Sequence, residues 1–237
     1  MITKSNYIVV MTGAGMSVPS GIPDFRSSSG LYNTGDNKNI SPEEILSHSF
    51  FVQYPEKFYK FYNTKMIYQN ALPNIGHKTL AILEKEGKVK AVITQNIDGL
   101  HQEAGSNEVI ELHGSIHRNY CQKCGKTYGL KSIINEKKVP KCICGGIIKP
   151  DVVLYEEALP AEAIENALMH IQKADLLLVI GTSLLVHPAA SFIHYFRGNN
   201  LVIINKGKTP YDNFADLVIN ESLETILTEN LLKVEDM

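Results

Sequence analysis

Short apolar, β-branched runs recur along the chain at Tyr7–Met11, Val89–Thr94, Leu176–Ile180, Leu201–Ile204 and Leu217–Ile219. The runs Leu176–Ile180 and Leu201–Ile204 contain no polar residue, the pattern of strands covered on both faces in a parallel sheet. Between the runs, apolar positions repeat at helical spacing and predict helices over His77–Glu86, Ala161–Gln172 and Ala189–Phe196. Strand and helix alternate at both ends, so the predicted class is α/β with a doubly wound, Rossmann-like parallel sheet. Two stretches break the rhythm. Residues 33–72 read as helical and are rich in aromatics (Phe50, Phe51, Tyr54, Phe58, Tyr59, Phe61, Tyr62), and residues 119–146 hold every cysteine. The predicted organisation is a large α/β unit of residues 1–32, 73–118 and 147–237. A smaller unit would be made of a helical module, 33–72, and a cysteine module, 119–146.

Composition adds limits. With 237 residues, 44% hydrophobic and 20% charged, the chain is long enough for a sizeable core. A formal net charge of -2 gives no general drive toward nucleic acid or an anionic membrane. The lysines at 123, 126, 131, 137, 138 and 141 read as solvated surface, so nucleic acid is not an expected partner. No apolar run approaches the ~18 residues of a membrane helix. The opening residues Met1–Asn6 lead straight into a short apolar strand and predict no signal peptide. The expected location is the cytoplasm, and in a reducing compartment clustered cysteines are more often metal ligands or catalytic groups than disulfides.

The chemistry-bearing residues fall just after the predicted strands. Thr12-Gly13-Ala14-Gly15-Met16-Ser17 follows the first. Its glycines let a backbone approach a phosphate at a helix start, although a tight structural turn reads equally well. The dinucleotide fingerprint is incomplete, because Val18 stands where its third glycine would fall. Gly21–Arg26 then places Asp24, Phe25 and Arg26 in a polar, irregular segment, where an Arg can grip phosphate and a Phe can cover a sugar or a ring. After the second strand comes Gln95-Asn96-Ile97-Asp98, whose amide and carboxylate suit a carboxamide ligand; Asp98 alone reads as a helix N-cap too. His113, followed by Gly114 at the end of a short strand, is the best candidate for a general base, ahead of His77, His101 and His117. Gly181-Thr182-Ser183 and Asn205 end two further strands and suit a ribose or phosphate, or a plain turn.

Cys121 and Cys124, then 17 residues, then Cys142 and Cys144, form two knuckles that fit one tetrahedral structural zinc. Four thiolates fill the coordination shell and leave no position for substrate. A disulfide or redox dithiol accounts poorly for the paired spacing.

Together these motifs resemble the sirtuin family. They stand in family order from about residue 7 to residue 220. The resemblance implies a Rossmann-like NAD-binding domain with a smaller zinc-binding and helical domain, and NAD-dependent protein-lysine deacetylation. NAD would be the co-substrate and acetylated proteins the partners. Gly13, Ala14, Gly15, Val18, Asp24, Phe25 and Arg26 would line the NAD site, with Phe25 shielding the reactive sugar. Gln95 would face the nicotinamide ribose, and Asn96, Ile97 and Asp98 the carboxamide. Gly181, Thr182, Ser183 and Asn205 would hold the adenosine half. Asn96 and His113 carry the catalytic roles. The acetyl oxygen would attack the anomeric carbon as nicotinamide leaves, and His113 would then take a proton from the ribose hydroxyls. The products would be free lysine and O-acetyl-ADP-ribose. The peptide would enter as a strand along Val152, Val153, Leu154, Tyr155 and Glu156, with Val186 on its other side.

Some positions depart from the family pattern. Tyr155-Glu156-Glu157 stands where Phe-Gly-Glu is frequent, and Val18 where some members carry a hydroxyl. Tyr62 and Lys65 resemble a Tyr-x-x-Arg pair that admits succinyl-lysine, with Lys in place of Arg. Desuccinylation, other deacylation and mono-ADP-ribosyl transfer are the alternative activities.

Overall fold

The computed structural model describes residues 1–25, 27, 30–31, 40–134, 139–223 and 226. Its main sheet contains β1 (Ile8–Thr12), β2 (Val89–Thr94), β3 (Val109–Glu111), β7 (Leu176–Ile180), β8 (Asn200–Ile204) and β9 (Leu217–Ile219) in the order β3-β2-β1-β7-β8-β9. Every pairing in it is parallel. The continuous apolar runs are explained by cores on both faces. Val9, Met11, Leu177 and Val179 pack with Ala167 and Ile171 of α7 (Ala161–Lys173). Ile8, Val10, Leu176 and Leu178 pack on the other side with Leu80 and Leu83 of α4 (Ile75–Lys85). Burying one such side chain fully contributes roughly 1.5–3 kcal/mol, and all five residues of β7 are buried. Helix α4 starts where Asn74 caps it, its side-chain oxygen accepting from the amides of Gly76 and His77 while His77 Nδ1 accepts from the Asn74 amide.

Two local expectations change. The segment after β1 is not an α-helix but a pair of 3₁₀ turns, Ala14–Met16 and Val18–Ser20, so no long helix dipole points at the glycine turn. The predicted helix at 189–196 is likewise a tighter 3₁₀ segment, Ala189–Tyr195. It follows Pro188 directly, and the Pro188 carbonyl accepts from the Ser191 amide at the short 3₁₀ spacing.

A second, antiparallel sheet of order β5-β4-β6 is made by β4 (Gly114–Cys121), β5 (Thr127–Gly129) and β6 (Ile148–Val152). It reaches beyond 119–146 on both sides. Helices α1 (Pro42–Ile45), α2 (His48–Gln53) and α3 (Pro55–Lys65) lie in the aromatic-rich stretch, whose residues 33–39 are outside the described set. The short α5 (Leu100–Glu103) and α6 (Lys131–Ile134) complete the elements. Phe51, Phe58, Tyr59 and Tyr62 share one core with Cys121, Cys142, Ile148 and Val152, so the helical and cysteine segments stabilise each other. Phe51 and Phe58 meet edge to face at 4.9 Å, and the Tyr59 hydroxyl donates to the Ile148 carbonyl across that core.

Candidate active site

The chain runs outward from β1 to β2 and β3, then returns to build β7, β8 and β9 on the other side of β1. The order therefore reverses between β1 and β7, and ligands of open α/β sheets bind beyond the strand ends at such a point. There the backbones of Gly13–Gly15 and Gly181–Thr182 touch. A Cβ on Gly13 would lie 2.6 Å from Thr182 Cβ, and one on Gly15 2.8 Å from Gly181 Cα. The Gly13 amide donates to Ile180 and the Gly15 amide to Gly181.

A cleft of about 850 Å³ opens over this contact. Gly13, Ala14, Gly15, Val18, Asp24 and Phe25 line it from the β1 side, and Gly181, Thr182, Ser183 and Asn205 from the β7–β8 side. Gln95, Asn96, Ile97, Asp98 and His113 line it from the β2–β3 side, and Val152–Glu156 and Val186 form its far wall. Arg26 lies outside the described residues. His77, His101 and His117 do not line the cleft.

The loop after β2 is fixed by a dense set of bonds. Both hydrogens of the Asn96 side-chain amide are used, one toward the Gly13 carbonyl at 3.1 Å and one toward Ser17 Oγ at 3.0 Å. Asn96 Oδ1 is left without a partner among the described residues. The Ser17 hydroxyl donates to Asp98 Oδ2 at 2.6 Å, and the Leu100 amide donates to Asp98 Oδ1 at 2.9 Å. Asp98 thus holds the start of α5 and faces the cleft at once. Burial pushes its carboxyl above the usual range, against the pull of those two bonds. Ser17 is a site residue that sequence reasoning quoted only as part of the glycine turn. Its hydroxyl beside two glycines was the available signal. Gln95 donates through Nε2 to Thr182 Oγ1 at 3.1 Å, closing the cleft floor from β2 to β7.

His113 sits between β3 and β4. Gly114 follows it with φ +74, in a position where any Cβ would collide with the Asp151 carbonyl, so the chain can turn there only with glycine. His113 Nδ1 lies 2.9 Å from the Gln95 carbonyl. A carbonyl only accepts, so Nδ1 carries the proton and Nε2 keeps its lone pair. Burial lowers the imidazole below its ordinary range, with the Gln95 bond opposing. The ring is therefore a neutral base at pH 7.

Much of the far wall's backbone is already engaged. The Val153 amide donates to His113, the Tyr155 amide to Leu46, and the Tyr155 carbonyl accepts from His48. The Leu154 amide donates to Glu157, whose carboxylate is also held by the buried Lys149 and by His48. The Val153 carbonyl and the Glu156 amide remain without partners among the described residues. Among the described residues, Glu156 and Leu184 are the non-glycine residues with left-handed backbone, φ +74 and +54. Glu156 lines the cleft and Leu184 follows Thr182 and Ser183, which do, as backbone strain tends to collect at functional sites. Tyr62 and Lys65 also face the cleft, and the buried Tyr62 hydroxyl has no hydrogen-bond partner among the described residues.

The four cysteine sulfurs lie within 4.8 Å of one another, Cys121 to Cys144 at 3.5 Å and Cys124 to Cys142 at 3.6 Å. Those distances are too long for disulfides. They fit a tetrahedral zinc, whose ~2.3 Å bonds put thiolates about 3.8 Å apart. No cysteine lines the cleft.

Residues 13–188 match the Sir2 family. A Clostridium tetani protein named NAD-dependent protein deacetylase is 58% identical over 229 residues, covering 96% of this chain and 93% of that protein. A Staphylococcus aureus protein of the same name is 46% identical, with 96% and 93% covered. Among solved structures, a Sir2 with deacetylated p53 peptide and 3′-O-acetyl ADP ribose superposes with a TM-score of 0.91 at 38% identity, covering 98% of this chain and 95% of that one. A Sir2 with p53 peptide and NAD+ gives 0.84 at the same identity and coverage. Among the described residues, no helix is long and apolar enough to cross a membrane.

Proposed function

The chain belongs to the Sir2 family, and on that premise we propose that it is an NAD-dependent protein-lysine deacetylase, transferring the acetyl group of acetyl-lysine to ADP-ribose with release of nicotinamide. The observation that carries this reading is the neutral His113, with Nδ1 tied to the Gln95 carbonyl, in the same cleft as the Asn96–Asp98 loop. Bound NAD supplies the anomeric carbon that the acetyl oxygen attacks and the ribose that carries the acetyl group away, and one water is consumed as lysine is released. His113 Nε2 takes a proton from a ribose hydroxyl, a role worth roughly 10²–10⁴-fold in rate. Asn96 Oδ1, Ile97 and Asp98 receive the carboxamide, and Gln95 the adjoining ribose. Gly13, Ala14, Gly15, Val18, Asp24, Phe25 and Arg26 contact the centre of NAD, and Gly181, Thr182, Ser183 and Asn205 its adenosine half. The acetylated peptide lies as a strand against the far wall, where the Val153 carbonyl and the Glu156 amide offer the open backbone groups. The cysteine site holds zinc in a structural role. The working compartment is the cytoplasm.

Incubation with NAD and an acetylated peptide tests the reading. Mass spectrometry should find nicotinamide, O-acetyl-ADP-ribose and free lysine in equal amounts. Deacetylation without NAD would sink it, and ADP-ribose attached to protein without deacetylation would favour mono-ADP-ribosyl transfer. Tyr62 and Lys65 on the cleft wall support a second, weaker activity on acidic acyl groups. A succinyl peptide should turn over more slowly than an acetyl one, because Lys lacks the bidentate fork of Arg.

A further inference from the structure

His77 and His101 are buried to 0% and 1% exposure, outside the cleft, and their rings meet edge to face at 4.7 Å. Each leaves one ring nitrogen without a hydrogen-bond partner among the described residues, His77 Nε2 and His101 Nδ1. Unmet polar atoms in buried side chains are costly, so these rings are held in place by their other nitrogens.

The hydrogen inventory assigns both rings. The Asn74 amide donates to His77 Nδ1, so the His77 proton is on Nε2. The Thr12 hydroxyl donates to Thr94 Oγ1 at 2.9 Å, so its oxygen can only accept from His101 Nε2, 3.0 Å away. His101 Nδ1 is then an acceptor, and His77 Nε2 a donor, in rings whose centroids lie 4.7 Å apart. The reverse hydroxyl direction would put an N–H on both orphaned atoms. Burial holds both imidazoles neutral, His77 at about 4 and His101 at about 3.

The chain of bonds continues into the site. Thr94 Oγ1 also accepts from the Asn96 backbone amide at 3.0 Å. Thr12 and Thr94 are the last residues of β1 and β2, the strands that deliver the glycine turn and the Gln95–Asp98 loop. We propose that His101 is a positioning residue that locks these two strand ends together through Thr12 and Thr94 and thereby sets Asn96 for the nicotinamide half of NAD. This rests on the functional reading for the identity of the ligand only.

The test uses the ligand-free full chain and Thr94→Val, which removes the hydroxyl link and leaves both histidines in place. Nitrogen NMR on histidine-labelled protein at pH 7 should find both rings neutral with the proton on Nε2. The Asn96 side-chain amide signals should shift in Thr94→Val. Losing one hydrogen bond should weaken nicotinamide inhibition about five- to tenfold and leave ADP-ribose binding unchanged. A purely structural defect would weaken both ligands. A His101 proton on Nδ1, unmoved Asn96 signals, or equal loss of both ligands would overturn the proposal. His101→Gln should recover nicotinamide inhibition that His101→Leu loses, since Gln keeps a donor at the Nε2 position. If the unaltered protein binds no NAD, the functional reading falls, while the tautomers and the Asn96 signals still decide the positioning role.

Discussion

The cleft and the cysteine cluster spend their polar atoms in opposite ways. In the cluster all four sulfurs converge on one point, so a metal there has no open coordination position. In the cleft the side chains are anchored through one atom and leave another free. His113 is held at Nδ1 and open at Nε2, and Asn96 is held at Nδ2 and open at Oδ1. A closed site stabilises a fold, and an anchored, half-open one does chemistry. Alterations at the two should therefore fail in different ways.

The largest effect belongs to the closed site. Metal analysis should find about one zinc per chain, and structural zinc contributes folding free energy of roughly 10 kcal/mol or more. Removing it with a strong chelator, or replacing Cys121 by Ser, should unfold the core that Cys121 and Cys142 share with Phe51, Phe58 and Tyr59. Thermal melting and aromatic circular dichroism would report the loss. Metal-free protein that melts as before would dissolve the contrast.

At the open site, His113→Ala should cost roughly 10²–10⁴-fold in kcat while leaving the melting temperature within a degree or two. Because burial lowers the His113 pKa in the ligand-free chain, the acid limb of kcat/KM in the unaltered enzyme should have its midpoint below about pH 6.5. An acid limb above that value would mean that His113 is not the titrating base.

The contrast also explains what could be read from residues alone. Zinc ligation needs only residue type and spacing, so Cys121, Cys124, Cys142 and Cys144 were visible in the bare sequence. The fully buried strands were visible because a parallel sheet covered on both faces demands continuous apolar runs. The cleft residues could be placed at strand ends, but their roles came from the resemblance to a family. What prepares His113 is a backbone carbonyl 18 positions away, and a carbonyl leaves no mark in a sequence. The 3₁₀ turns after β1 were hidden for a similar reason. Gly13 and Gly15 are packed against Gly181, and that tertiary contact fixes the local path.

A third outcome separates the buried histidines from His113. His77 and His101 titrate at about 4 and about 3 in the folded chain, against about 6.5 when unfolded. As pH falls the unfolded chain takes up protons first. Their contribution is complete above about pH 6.5 and is lost toward pH 4, at up to about 1.4 kcal/mol per pH unit for each ring. Urea melts across that range should show the slope, and replacing His77 by Gln should reduce it. A stability flat from pH 7 to pH 4.5 would show that the pair is solvated.

The smallest effect lies at Glu156, on the cleft wall. A non-glycine residue in the left-handed region costs about 1–2 kcal/mol. Here that cost is offset by Ser49, whose amide and hydroxyl donate to the Glu156 carboxylate at 2.9 and 2.6 Å. Glu156→Gly removes the strain and the bonds together, so its stability should stay close to the original. Glu156→Ala removes the bonds and keeps the strain, and should be less stable than the glycine variant, even though alanine restricts the unfolded chain more. Denaturant melts of the two variants decide the order. Alanine proving the more stable would mean that residue 156 is not left-handed in solution, and the open backbone groups assigned to the peptide would lose their geometry with it.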